Sequence, residues 1–205
     1  MTDITIIGAG NMGSAIAAVA VAGGNVVQVL ARDSDKAAAV NPQSTAGVVG
    51  DAITGDIVIL AVPYGAMSPV LEAYAGQLDG KVLVDLANPL DFSTFDSLVV
   101  AAGSSSAAEI AAAVPGASVL KAFNTNFAAT LASKAVGAEK TTVLIAGDDA
   151  DAKAALVAVV EGGNLKAVDA GSLKRAHELE ALGFLQLTLA AGEKTSWTGG
   201  FALAE

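Results

Sequence analysis

Three glycines, Gly8, Gly10 and Gly13, follow the apolar run Ile4-Thr5-Ile6-Ile7 and precede the small-residue stretch Ser14 to Ala22. This is the spacing G-x-G-x-x-G between a strand and a helix. The first glycine makes a tight turn, the second lets backbone approach a pyrophosphate, and the third lets helix pack on strand. The chemistry implied is anion binding by free N–H groups at a helix amino end, with Asn11 and Met12 beside the bound group. In a chain with 22 glycines such a triplet could be an ordinary turn, but its place after the first strand favours a dinucleotide.

The end of the second strand decides between NAD and NADP. The stretch is Leu30-Ala31-Arg32-Asp33-Ser34-Asp35-Lys36. Asp33 has about the spacing of an acid that holds ribose hydroxyls, yet it lies beyond the apolar run and also suits a helix cap. Ala31 leaves space for a phosphate, Arg32 suits a 2′-phosphate clamp, and Ser34 adds a hydroxyl, so the reading is NADP. Lys36 is a looser charge at the same loop.

Three further segments should lie beyond strand ends, where ligands bind in open α/β sheets: Ala61-Val62-Pro63-Tyr64, Asn88-Pro89-Leu90-Asp91 and Phe123-Asn124-Thr125-Asn126. Ala61, Val62, Pro63, Tyr64 and Asn88 are assigned to the cofactor. Tyr64 and Asn124 are the catalytic candidates. Other proton donors are few: Lys121, also readable as a strand-end charge, and His177, expected on a solvated helix face. Hydride exchange between two ring cofactors needs alignment and water exclusion more than a proton relay.

These segments must be positioned by alternating strands and helices. The pattern predicts strands at 4–7, 25–30, 46–49, 56–61, 81–85, 118–122, 141–146 and 165–169. Helices are expected over 11–22, 67–77, 107–114, 128–135, 149–160 and 172–191, with at most one short helix between Asp33 and Gly55. The fold class is α/β: a Rossmann-type, doubly wound, mostly parallel sheet with a small carboxyl-terminal helical extension. Residues 1–170 form the NADP-binding domain, and 171–205 a helix and tail packed on it.

The 205 residues carry a net charge of −10, which disfavours nucleic acid or an anionic membrane as partner. There is no cysteine and a single histidine, so no thiolate or histidine metal site is expected. Met1-Thr2-Asp3 runs straight into the first strand and the apolar runs are short, which favours a cytoplasmic protein. Trp197 and Phe201 in the tail suggest a subunit contact, hence a homodimer.

Taken together, Gly8 to Gly13, Ala31-Arg32, Ala61 to Tyr64, Asp85 to Asp91, Ser105 to Ile110, Ala146 to Asp149 and Asp169-Ala170-Gly171 resemble the coenzyme F420-dependent NADP oxidoreductases over nearly the whole chain. The resemblance implies a dimeric Rossmann protein that holds NADP against a deazaflavin. It places Gly10, Asn11 and Met12 along the pyrophosphate, Arg32 on the 2′-phosphate, and Val62 and Pro63 beside the nicotinamide. The stretch after Lys36 is shorter than in the family, and Phe123-Asn124-Thr125 replaces a more His-containing segment, leaving the second substrate open. The glycine turn also resembles pyrroline-5-carboxylate reductase, which carries a large helical domain where this sequence has one long helix and a tail after Asp169, and a reductase of a small C=N or C=O substrate is one alternative. A non-catalytic NADP-binding redox sensor is the other alternative.

Overall fold

The computed structural model describes residues 1–204. Its elements are β1 (Asp3–Ile7), α1 (Asn11–Ala22), β2 (Val26–Ala31), α2 (Ser34–Ala38), β3 (Thr45–Val48), β4 (Ile57–Leu60), α3 (Met67–Ala73), β5 (Val82–Asp85) and α4 (Ser106–Ala113). There follow β6 (Ser118–Lys121), α5 (Ala128–Ser133), a hairpin β7 (Ala135–Val136) and β8 (Glu139–Lys140), β9 (Thr142–Gly147), α6 (Ala150–Gly162), β10 (Lys166–Gly171) and α7 (Ala176–Ala191).

Eight strands make one sheet in the order β10-β9-β6-β5-β4-β1-β2-β3. Six of them, β3 to β6, are parallel neighbours, and β9 joins β6 antiparallel with β10 alongside it. The strand order reverses between β1 and β4, where a crevice must open above the carboxyl ends.

Alternation within the strands feeds two cores, as expected for a sheet covered on both faces. Ile4, Ile6, Ile57 and Ile59 pack with Ile16, Leu131 and Leu156 of α1, α5 and α6. Ile7, Val58 and Leu60 pack with Met67, Val70 and Ile110 of α3 and α4. Side-chain caps start three helices, Asp33 for α2, Ser105 for α4 and Asp149 for α6, each oxygen accepting from free N–H groups of the first turn.

One helix boundary is corrected and one element is added. Helix α3 ends at Ala73 rather than near residue 77, because Tyr74 turns inward to full burial and its hydroxyl accepts from the Gly50 N–H. The β7–β8 hairpin had no signal in its short, mixed sequence.

Candidate functional site

The turn after β1 is held by contacts that only glycine permits. Gly8 has φ +122° and sits so close to Ala61 at the end of β4 that a Cβ would lie 2.1 Å from the Ala61 carbonyl oxygen. A Cβ on Gly13 would lie 2.1 Å from the Gly8 carbonyl oxygen, so α1 docks against the turn itself. Gly10 differs: a Cβ there would meet nothing within 4 Å, and its backbone is ordinary at φ −83° and ψ −174°. Its bareness faces a cavity. No side chain caps α1, and no acid stands in its first turn, so its leading N–H groups are left without a side-chain acceptor.

The cavity is a cleft of about 810 Å³ lined by Gly8, Gly10, Ala31, Arg32, Ala61, Val62 and Pro63, with Lys36 at its edge. The exposed Arg32 and Lys36 make no ion pair among the described residues, leaving two cations free for an anion. Asp33 also lines the cleft, with one carboxylate oxygen engaged in accepting from the Asp35 and Lys36 N–H groups. The residues present thus fit a dinucleotide phosphate: bare amides, a glycine facing open space, and a free guanidinium.

A second pocket of about 370 Å³ lies at the start of α1. Asn11 and Met12 line it, with Asn88, Asn124, Asn126, Phe123, Phe127, Leu187 and Trp197. Asn124 donates to the Asn88 side-chain oxygen at 2.9 Å and to the Leu179 carbonyl at 2.8 Å, while Asn88 donates to the Asn124 carbonyl at 2.8 Å. Gly183 makes room for this pair, since a Cβ there would lie 2.4 Å from the Asn88 oxygen. Phe123 is fully buried at φ +63°, a strained conformation for a bulky residue of the kind that clusters at functional sites. Trp197 and Phe127 close one side with ring centroids 5.0 Å apart.

Of the residues expected at the site, Gly8, Gly10, Arg32, Ala61, Val62 and Pro63 share the cleft, and Asn11, Met12, Asn88 and Asn124 share the second pocket. Gly13 acts through packing. Ser34 opens α2 on the exposed side and lines neither cavity. Tyr64 faces a separate groove between α3 and α4, where its hydroxyl donates to Glu109 at 2.6 Å. That hydrogen bond pushes its pKa up to about 12, so the phenol keeps its proton.

Lys121 is no exposed strand-end charge. Its ammonium is fully buried, donating to Asp85 at 2.8 Å, Glu180 at 2.7 Å and the Ala87 carbonyl. Burial pushes the Glu180 carboxyl above its usual range, against the downward pull of Lys121. His177 is half-buried, its Nδ1 meeting the Ser104 carbonyl at 3.1 Å. Glu180, Gly183, Gln186 and Leu187 went unread in the sequence. Their spacing along α7 puts them on one helix face, and polar or small residues in an apolar helix were the signal available.

No helix among the described residues is long and apolar enough to cross a membrane. Residues 3–89 match the family model described as coenzyme F420-dependent NADP oxidoreductase. A candidate F420-dependent NADP reductase from Arthrobacter sp. FB24 has a similar structure, at TM-score 0.86 and 26% identity, with 100% of both chains covered. A hypothetical protein of Sinorhizobium meliloti is 31% identical at TM-score 0.76, over 84% of this chain and 86% of that one. The rat metalloreductase STEAP3 is 30% identical over 181 residues, 87% of this chain, and the chain spans 36% of the rat protein's length. The glycine turn, the cleft above the strand-order reversal and these matches agree that residues 3–89 are similar to the coenzyme F420-dependent NADP oxidoreductases and that the whole chain shares the fold of a candidate F420-dependent NADP reductase.

Proposed function

We propose that this protein passes hydride between NADP(H), held in the 810 Å³ cleft, and a ring acceptor in the 370 Å³ pocket, a deazaflavin such as coenzyme F420 or a flavin-like molecule. One observation carries the reading. Consecutive residues line both cavities, Gly8 to Gly10 of the turn the cleft and Asn11 and Met12 at the start of α1 the pocket, so a coenzyme held along the turn would lie beside an acceptor in the pocket.

When bound, the nicotinamide supplies the hydride chemistry. The chain supplies binding and orientation. Backbone N–H groups from Gly10 to Gly13 hold the pyrophosphate, and Arg32 takes the 2′-phosphate and so selects NADP over NAD. Val62 and Pro63 offer a flat, donor-poor wall to the nicotinamide. Asn88 and Asn124 present fixed amides to the acceptor, and Phe127 and Trp197 shield it from water. With the Tyr64 proton committed to Glu109, alignment carries the hydride step, and the proton that completes reduction of the acceptor comes from solvent.

We also place the protein in the cytoplasm as a homodimer, joined through the tail, where Trp197 and Phe201 remain 51% and 46% exposed. The test of function is NADPH oxidation by the purified protein against coenzyme F420, FMN, quinones and cyclic imines. Turnover with F420 or FMN supports the reading. Turnover with imines alone assigns a C=N reductase instead, and tight NADPH binding without oxidation by any of them assigns a sensor.

A further inference from the structure

The buried ionic cluster is a strange thing to find under this fold. Asp85, Lys121 and Glu180 each have fully buried side chains, two carboxylates to one ammonium, and come from β5, β6 and α7. A buried ion cluster is a poor source of stability, because desolvating the charges costs about as much as their attraction returns. Its hydrogen bonds suggest what it is for. Asp85 accepts from the Ala87 N–H at 2.8 Å while Lys121 donates to the Ala87 carbonyl, so both backbone groups of the residue before Asn88 are fixed. On the other side Glu180 ties α7 to Lys121, one residue from the Leu179 carbonyl that orients Asn124. The second Glu180 oxygen accepts from the Ser106 N–H at 3.2 Å, bringing in the start of α4.

We propose that the Asp85–Lys121–Glu180 cluster positions the Asn88–Asn124 amide pair, so that Lys121 and Glu180 set turnover of the acceptor without touching it. The claim rests on reading the 370 Å³ pocket as the acceptor site. None of these three residues lines the nucleotide cleft, so the proposal requires NADPH affinity to be unchanged when they are altered.

The test replaces the cluster by neutral groups that retain its volume, Asp85→Asn with Lys121→Met and Glu180→Leu, since such exchanges commonly leave stability intact. The expected result is a folded protein with unchanged NADPH affinity whose kcat with the acceptor falls about 100-fold, the cost of a small misplacement at a reacting centre. Glu180→Gln, which keeps the side-chain volume, should fold even if the triple variant does not, with a loss of about 10-fold in kcat by the same logic. Wild-type kcat and acceptor KM in folded variants would overturn the proposal. So would a parallel fall in NADPH affinity, the mark of a general structural role. If wild-type protein turns over no acceptor, the functional reading fails on its own. The positioning claim is then decided by hydrogen exchange: faster exchange in the variants confined to the amides of 87–88 and 124–126 supports it, and unchanged or uniformly faster exchange overturns it.

Discussion

The cleft on one side of the α1 turn is walled by glycines and small or apolar residues with a few charges, whereas the pocket on the other side is walled by side-chain amides and aromatic rings gathered from α1, two loops and the tail. In the cleft, shape depends on atoms that are missing: Gly8 and Gly13 allow contacts that a Cβ would block, and Gly10 leaves space for a ligand. In the pocket, shape depends on long-range hydrogen bonds, Asn88 to Asn124 across 36 residues and Asn124 to Leu179 across 55. A site for a common cofactor is met by local geometry. A site for a particular partner is met by tertiary assembly, so the two should fail in different ways.

The largest difference is expected within the glycine turn itself. Gly8→Ala sets a Cβ against the Ala61 carbonyl at a backbone angle hostile to side chains, and should cost on the order of 3 kcal/mol or more of stability in denaturant unfolding. Gly10→Ala should leave stability within about 0.5 kcal/mol. Its NADPH affinity should nevertheless fall about 10- to 100-fold by fluorescence titration, roughly 1.4–2.8 kcal/mol. Equal stability losses in the two variants would remove the distinction between a packing glycine and a ligand-facing one.

Arg32→Ala comes next and touches only the cleft. Losing a charge-assisted phosphate contact worth about 1.5–3 kcal/mol should weaken NADPH and leave NADH binding unchanged. Equal loss for both coenzymes would take Arg32 off the 2′-phosphate. Gly183→Ala is the mirror experiment in the pocket, pushing on Asn88 from α7. It should raise the acceptor KM or lower kcat about 10-fold, with NADPH affinity unchanged.

The subtlest contrast is in pH. Burial raises the Glu180 pKa in the folded protein, so the folded state binds its proton more tightly than the unfolded chain does. Stability from this group is therefore full below the ordinary glutamate range and is lost as pH rises through the native value. Asp91, Asp149 and Asp169 act oppositely, their lowered pKa values giving stability that is lost as pH falls through and below the ordinary aspartate range. Between neutrality and mild acid, thermal melts of wild type should gain more on acidification than those of Glu180→Gln. Parallel curves would show that Glu180 titrates normally.

This contrast also explains what the sequence made legible. The glycine turn, Arg32 and Ala61 to Pro63 are runs of neighbouring residues with strong local signatures, and the structure gathers them in one cleft. Strand positions were legible from apolar runs, but the reversed direction of β9 and β10 was not, because strand pattern carries no polarity. Lys121 could be noticed, yet its partners lie 36 and 59 residues away, and only folding shows them to be one buried cluster. Tyr64 sits immediately after Pro63 but turns into a different groove, a matter of side-chain direction that adjacency in sequence does not set.

The central claim is that hydride crosses directly from a coenzyme in the cleft to an acceptor in the pocket. It is tested most directly with NADPH carrying deuterium at nicotinamide C4, oxidised by coenzyme F420 in ordinary water, with the product read by mass spectrometry. The account predicts deuterium on the reduced acceptor. Oxidation with the deuterium lost to solvent, or no oxidation while NADPH is tightly bound, would contradict it.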